Sequence, residues 1–516
     1  MTRKERRWCW IFSGALALLT TLPYIVGFAA QGASWRFSGF VVGVEDGNSY
    51  IAKMMLGASG SWLFRSPYST LPQRGALAFL PYLLLGKLAA GPALPEQLIG
   101  LFHLFRIAVT PWGVFATYRF TSVWIRDMGL RRGATLVACC GGGLGWSALF
   151  LGQPVLPLEF YSPEAFGFLA FLGIPHLILA RALLLDSLAS HVRGLEGHPV
   201  GWRAAIGLAV AGLIQPILLV TAFVVIGLHG ALRRWVDRID LRVWIRRTLR
   251  DVLPAGILAG GYAVMVATDP YLEIWARQNR LPSPPIGAYL LSYGPAIVVV
   301  IWLLRRATVR KSFRAWLPLA WVLAFPILAY APVSVQRRLI EGTWVALLVL
   351  VASAWAGSRP ARTGTRSAPL AFGALSLPAA ALLLVLGLNT ARSLAEPVFY
   401  PAGEDHAAAW LRQNAAPGEV VLSSYAVGNR LPSRAPVRVV VGHGPETANL
   451  DRLLPQIAEF YSDSTDAERR VFLAEQHVAY VLWGPAERAL GDWNPGTMPN
   501  WDLLYSGEGY EIFRVR

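Results

Sequence analysis

Apolar runs about one membrane thickness long alternate with short polar stretches through the first three quarters of the chain. The first covers residues 8–30 behind the basic head MTRKERR. Others cover 97–124, 134–151, 164–185, 252–268, 286–304, 315–332, 342–357 and 369–389. A helix needs ~20 residues to cross a ~30 Å hydrocarbon layer, so each run is predicted to span, although some run short. The first exceeds the ~7–15 apolar residues of a signal peptide and is followed by more spans, so it is expected to be retained as an anchor. Residues 76–90 are too short to cross and are predicted to lie along the outer interface. Residues 203–231 are predicted to cross twice, turning near Gln215-Pro216, where proline interrupts a helix. About eleven spans are expected.

The pattern changes at residue 392. HAAAWLRQN predicts a short helix, EVVLSS and VRVVVGHG predict strands, 447–461 and 465–476 are helical, and AYVLWG, WDLLYS and YEIFRV are strands again. Short β-rich runs alternating with helices indicate an α/β domain, and about 125 residues are enough to own a core. The expected division is therefore 1–391, a membrane domain with a first outer loop at 31–96, and 392–516, an α/β domain.

Charge assigns the sides. The segments around Arg126, Arg131 and Arg132, from Arg233 to Arg250, from Arg305 to Arg314, and around Arg359, Arg362 and Arg366 are expected to be cytoplasmic, because basic loops stay inside. The N-terminus is then inside and the α/β domain outside. Residues 31–75, 152–163, 269–285 and 333–342 become outer loops. Lys53, Arg65, Arg74, Arg337 and Arg338, with Arg277 and Arg280 as weaker members, sit on the side that this rule disfavours, so they need another reason.

Composition agrees. The 516 residues are 54% hydrophobic and 15% charged, against ~25% charged in soluble domains, which excludes a disordered chain, a collagen and an ordinary cytosolic enzyme. The net charge of +16 is no nucleic-acid signal. Residues 392–516 carry 11 basic and 16 acidic residues, while the rest carries 36 and 15, as expected of a basic membrane body with an acidic outer tail. Cys9, Cys139 and Cys140 lie in or beside apolar runs and build neither a disulfide framework nor a metal cluster.

Chemistry is expected in the outer loops. FVVGVEDGNSYIAKMM puts Glu45 and Asp46 about fifteen residues past the first span. A carboxylate at the membrane surface can serve as a general base, and Asp46-Gly47-Asn48-Ser49 is also good helix-capping sequence. Glu159 and Glu164, in PLEFYSPEAFGF, form a second acidic motif, with Glu164 explicable as a cap behind Ser162-Pro163. Gln336, Arg337 and Arg338 sit between two spans, where paired guanidiniums suit a phosphate; lipid headgroups or Glu341 would also satisfy them. His103 and Arg106 open the second span and are accessory candidates, although Arg106 can also snorkel. His176 is expected to pack mid-span. GGGLG at 141–145 lacks the strand and Lys-Ser/Thr of a phosphate loop and is expected to let helices approach closely. His443, in GHGPET, either faces the outer site or makes a strand-to-helix turn.

An inside N-terminus, one span, an outer loop opening on Glu45-Asp46, interfacial helices, further spans and an outer C-terminal domain together resemble the GT-C superfamily of membrane glycosyltransferases. That group includes the protein O-mannosyltransferases and the aminoarabinose transferases of lipid A. QRRLIEG and the tail pattern AAAWLRQN…VVVGHGPET…AYVLWGP are similar to uncharacterised bacterial members. The resemblance implies a polytopic α-helical membrane protein that transfers a sugar, as a hexosyltransferase, from a polyprenyl-phosphate donor to an acceptor hydroxyl, with inversion. It implies Asp46 or Glu45 as the base, Glu159 or Glu164 near the second acidic motif, and Arg337 and Arg338, with Gln336 and Lys53, at the donor phosphate. Such a leaving group departs ionised and needs cations, not a general acid. No cofactor is required; a divalent cation, Mg or Mn, is compatible but not predicted. The partners implied are the lipid-linked donor, an acceptor protein, lipid or glycan, and membrane lipids, without nucleic acid, in a bacterial cytoplasmic membrane. The alternatives are a lipid or glycan transporter, against which stands the lack of visible repeats, and a non-catalytic glycan-binding membrane protein. Asp46, Arg337 and Arg338 are expected to share one hollow at the external leaflet.

Overall fold

The computed structural model describes residues 1–150, 156–305, 316–357, 367–499 and 501–516. The basic stretch after Arg305, together with Arg359, Arg362 and Arg366, lies outside the described residues, as do residue 151 and residues 152–155 of the second outer loop. The chain forms two compact units: residues 1–21, 105–263 and 280–386, and residues 22–104, 264–279 and 387–516.

The first unit is helical. Among the described residues, six helices of the chain are long and apolar enough to cross a membrane: Arg3–Ala30, Leu94–Trp124, Leu218–Asp237, Leu241–Thr268, Gln336–Ala356 and Leu370–Thr390. Arg203–Ile214, Ile286–Trp302 and Leu317–Ala329 are shorter apolar helices. The sequence-based total of about eleven counts apolar runs, and several of these runs are broken helices. The run at 134–151 stops at Cys140, and 141–143 are non-helical. The run at 164–185 divides into Gly167–Gly173 and Pro175–Leu195. The expected break at Gln215-Pro216 is present, between Arg203–Ile214 and Leu218–Asp237. His176 is the second residue of its helix and is buried. The core gathers Phe120, Leu184, Leu188, Trp321 and Trp344.

The second unit is built on a five-stranded sheet. Its strands are β3 (Val420–Leu422), β4 (Arg438–Val439), β5 (Val478–Trp483), β6 (Asp502–Gly507) and β7 (Tyr510–Arg514), in the order β4-β3-β5-β7-β6. β3 is parallel to β4 and β5, while β7 is antiparallel to β5 and β6. All three residues of β3 are buried, as expected of a central strand covered on both faces. The expected strands and the three expected helices are present, the latter at Ala402–Asn414, Leu450–Tyr461 and Asp466–Glu475. A fourth helix, Tyr425–Arg434, is disguised by Gly428 and Pro432, both poor helix formers. A Cβ at Gly428 would stand 2.1 Å from the carbonyl oxygen of Val441, so packing demands the glycine there.

The tail does not fold apart from the first loop. β1 (Trp35–Phe37) and β2 (Phe399–Pro401) pair antiparallel, and Tyr68 and Ala52 join the core formed by Val421, Leu431 and Ile512. The helix Leu80–Gly86 within 76–90 has seven residues, or about 10 Å, too short to cross. It packs on Val44–Ala58 through two glycines. A Cβ at Gly57 would lie 2.1 Å from the Leu83 carbonyl oxygen, and one at Gly86 would lie 1.9 Å from that of Met54.

Candidate active site

Helix Val44–Ala58 starts behind Gly43, which holds a left-handed conformation at φ 56 and is the N-cap. Glu45 and Asp46 therefore occupy the first turn and do not cap it, and there the helix dipole favours negative charge. Both are exposed, and the Asp46 side chain is 59% accessible. Its Oδ1 lies 3.3 Å from Nε2 of His443. Tyr425 donates to Glu45 Oε2 at 3.1 Å, and Asn48 donates to Asn429 Oδ1 at 2.8 Å. Burial, reinforced by Glu45, pushes the Tyr425 hydroxyl up, so it stays a donor.

Behind this exposed pair lies a buried one. Lys53, at 1% accessibility, donates to Glu446 Oε1 at 2.5 Å. Ser49 donates to the same oxygen at 2.6 Å, and Ser66 to Oε2 at 3.2 Å. The Lys53 ammonium also sits 4.3 Å from the Phe79 ring centroid. Burial pushes the Glu446 carboxyl up, but Lys53, His443 and the hydrogen bonds from Lys53 and Ser49 overcome this and hold it below the ordinary range. Lys53 was expected as an outer phosphate ligand; its charge is committed to Glu446 in the interior. Glu446 was not singled out from the sequence. Its only signal is its position three residues after His443, with which it shares a turn.

His103 places Nε2 3.1 Å from the Gly39 carbonyl oxygen and packs on Tyr24 at 4.5 Å. This is an anchoring role for the start of the first loop.

The other candidates belong to the first unit. Arg337 stacks on Tyr161 at 5.0 Å, and Arg338 Nε is 3.6 Å from Glu164 Oε1. Both arginines are half-buried. Among the described residues no carboxylate pairs with Arg337. Glu341, the expected competitor for these arginines, is instead buried against Arg181, which also donates to the Pro163 carbonyl oxygen at 2.5 Å. Turned about, the Gln336 amide satisfies both its ends, its nitrogen donating to the Ala331 carbonyl oxygen at 2.6 Å and its oxygen accepting from Ser283 N at 3.1 Å. It braces its own loop. Glu159 is buried, accepting from Gly145 N at 2.9 Å and Ser292 Oγ at 3.1 Å. The glycines of 141–145 make this cradle: a Cβ at Gly145 would lie 2.2 Å from Glu159 Oε2, and one at Gly143 would lie 1.7 Å from the Ser292 carbonyl oxygen. Close approach is thus their purpose, as expected, but from a loop and not within a helix. Arg106 does not snorkel; it is buried and donates to Thr20 and Thr21 at 2.9 Å each.

Asp46, Glu45, Lys53, His103 and His443 thus fall in one unit, and Arg106, Glu159, Glu164, Gln336, Arg337 and Arg338 in the other. Within each unit the structure brings together Asp46 with His443, and Arg338 with Glu164. Among the described residues, no group of three or more His, Cys, Asp or Glu side chains is placed to hold a metal ion.

No family model matches the chain, and no curated protein sequence matches it. Solved structures do. The oligosaccharyltransferase AglB of Archaeoglobus fulgidus, in complex with an inhibitory peptide and a dolichol-phosphate, aligns over 93% of this chain and 70% of its own, with a TM-score of 0.56 and 12% identity. The arabinofuranosyltransferase AftD from Mycobacteria aligns over 99% of this chain and 40% of its own, with a TM-score of 0.55 and 14% identity. At such identities the likeness is one of fold. The chain has the fold of the GT-C membrane glycosyltransferases.

Proposed function

We propose that the protein transfers a sugar from a polyprenyl-phosphate donor to an acceptor hydroxyl at the outer face of the bacterial cytoplasmic membrane, with inversion at the anomeric carbon. The observation that carries the reading is the exposed Asp46 carboxylate at the head of a helix, in a fold shared with an enzyme bound to a dolichol-phosphate. Asp46 takes the acceptor proton as the hydroxyl oxygen bonds to the anomeric carbon and the sugar–phosphate bond breaks. Glu45, hydrogen-bonded to Tyr425, adds negative charge beside it. The lipid phosphate leaves as an anion, so its charge must be met by fixed cations. Arg337, free of a carboxylate partner among the described residues, and Arg338 are assigned to it, with Gln336 holding their loop. Glu164 steadies Arg338, and Glu159 holds the glycine loop. Lys53 supports the base from behind and is not assigned to the phosphate.

The test is incubation of the purified protein in lipid vesicles with polyprenyl-phosphate sugars carrying labelled mannose, arabinose or aminoarabinose, plus peptide, lipid and glycan acceptors. Formation of a new glycosidic bond of inverted configuration supports the reading. Movement of the labelled lipid between leaflets without bond formation would replace it with a transporter. Arg337→Gln is expected to raise the KM for the donor more than it lowers kcat.

A further inference from the structure

A turn of three residues joins helices Leu218–Asp237 and Leu241–Thr268. Around it, residues 233–251 carry seven arginines against three aspartates. The aspartates are engaged locally. Asp237 pairs with Arg233 at 2.6 Å, Asp251 pairs with Arg250 at 2.7 Å, and Asp240 Oδ1 accepts from the backbone N–H of Arg242 at 2.8 Å. Arg234, Arg238, Arg242 and Arg246 are exposed, and among the described residues no carboxylate pairs with any of them.

Packing fixes which side of the second helix faces out. A Cβ at Gly230 would stand 2.0 Å from the Trp244 indole, and His191 Nδ1 lies 3.0 Å from Asp251 Oδ2. Trp244 and Asp251 therefore hold one side against the neighbouring helices. On the outward side Leu241, Ile245, Leu249, Leu253 and Ile257, four residues apart, are all exposed, with Arg242 and Arg246 beside them. The helix has 28 residues, or about 42 Å, against ~30 Å of hydrocarbon. Its apolar run at 252–268 fills the hydrocarbon layer, so 241–251 falls at headgroup depth. Trp235, 81% exposed, stands at the same turn, and indoles favour that layer. Water would satisfy the arginines but not the apolar side chains between them. A protein partner would have to displace the bilayer in which the helix is embedded. A phosphate carrying acyl chains matches both the charge and the stripe.

We propose that this hairpin is a binding site for anionic phospholipid of the leaflet it faces, which is the cytoplasmic one on the expected sidedness. Arg238, Arg242 and Arg246 hold the phosphate oxygens by charge-assisted hydrogen bonds, and the acyl chains lie along the stripe from Leu241 to Ile257. Arginines clustered directly beside a span suit anionic headgroups. The site belongs to the helical unit alone and needs no transfer reaction.

The experiment uses the full chain in detergent, with native mass spectrometry counting bound phosphatidylglycerol or cardiolipin against phosphatidylcholine of the same acyl length. The wild type is expected to bind the anionic lipids selectively and saturably. Each arginine removed is expected to weaken that binding by about fivefold, so a variant with Arg238→Gln, Arg242→Gln and Arg246→Gln should lose about a hundredfold. Its phosphatidylcholine binding and its thermal unfolding midpoint in phosphatidylcholine nanodiscs should be unchanged. A variant with Arg277→Gln and Arg280→Gln, which removes two basic residues from another loop, should bind anionic lipid as the wild type does. Equal binding of anionic and zwitterionic lipid overturns the site, as does an equal loss in the Arg277 and Arg280 variant. Displacement of the bound lipid by excess inorganic phosphate would make this a site for free anions and also overturns it. If the triple variant does not fold, the three single variants decide, and anionic binding unchanged in all three overturns the site.

Discussion

Lys53 and Glu446 are each almost sealed from solvent, and neither charge would survive there alone. Removing one partner of such a pair typically costs about 3–5 kcal/mol, because the other is left buried and uncompensated. Glu446→Gln is therefore expected to destabilise the protein by roughly that amount, read by thermal unfolding in nanodiscs; a loss within about 0.5 kcal/mol, as for a surface change, would show that the pair bears little weight. The pair also sets a pH dependence. The Glu446 carboxyl is held lower in the folded than in the unfolded chain, so its stabilisation is fully present above the unfolded value of ~4.3. It is lost as pH falls through the lower folded value. Stability should drop below about pH 4.3, and Glu446→Gln should remove that part of the drop. At this scale the sequence was half legible. EDG marked the exposed carboxylates because acidic residues at a turn are visible by type. Lys53 misled because a lysine gives no sign of whether it points outward or back to a partner 393 positions away.

Helices meet closely where glycine has replaced a side chain, and sequence alone does not say what the missing Cβ makes room for. Val44–Ala58 and Leu80–Gly86 are joined at Gly57 and Gly86, each against the other helix's backbone. Gly86→Ala must push the helices apart, and overpacking of this kind costs about 1–3 kcal/mol. A shift in the thermal midpoint of the variant checks this, and an unchanged midpoint would mean that the helices separate freely. Helix breaks at proline were readable where the flanking pattern left no alternative, as at Gln215-Pro216. They were not readable at 141–143, where the glycines turn out to surround Glu159. Tyr425–Arg434 was missed because its Gly428 answers to Val441, a tertiary demand that outweighs local propensity.

The whole molecule carries its charge asymmetrically, with a basic apolar body and an acidic tail, and this carries the prediction of sidedness. In intact cells a cysteine placed at Ser464, in the tail, should react with a membrane-impermeant maleimide added outside, whereas one at Thr2 should not; the reverse pattern would invert the topology. The α/β tail was legible strand by strand because its short β-rich runs are set off by helical ones, one of which opens on a capping box of Thr465 and Glu468. Its union with residues 22–104 was not legible, because strands of three residues such as Trp35–Phe37 and Phe399–Pro401 are too short to announce a pairing across the chain.

The central claim is that the Asp46 carboxylate removes the acceptor's proton. The most direct test compares transfer by the wild type and Asp46→Asn with the same lipid-linked donor at saturation, with donor binding measured alongside. The account predicts a fall of about 10²–10⁴-fold in kcat with binding retained. Transfer by Asp46→Asn within about twofold of the wild-type rate, a difference of less than ~0.5 kcal/mol, would contradict it.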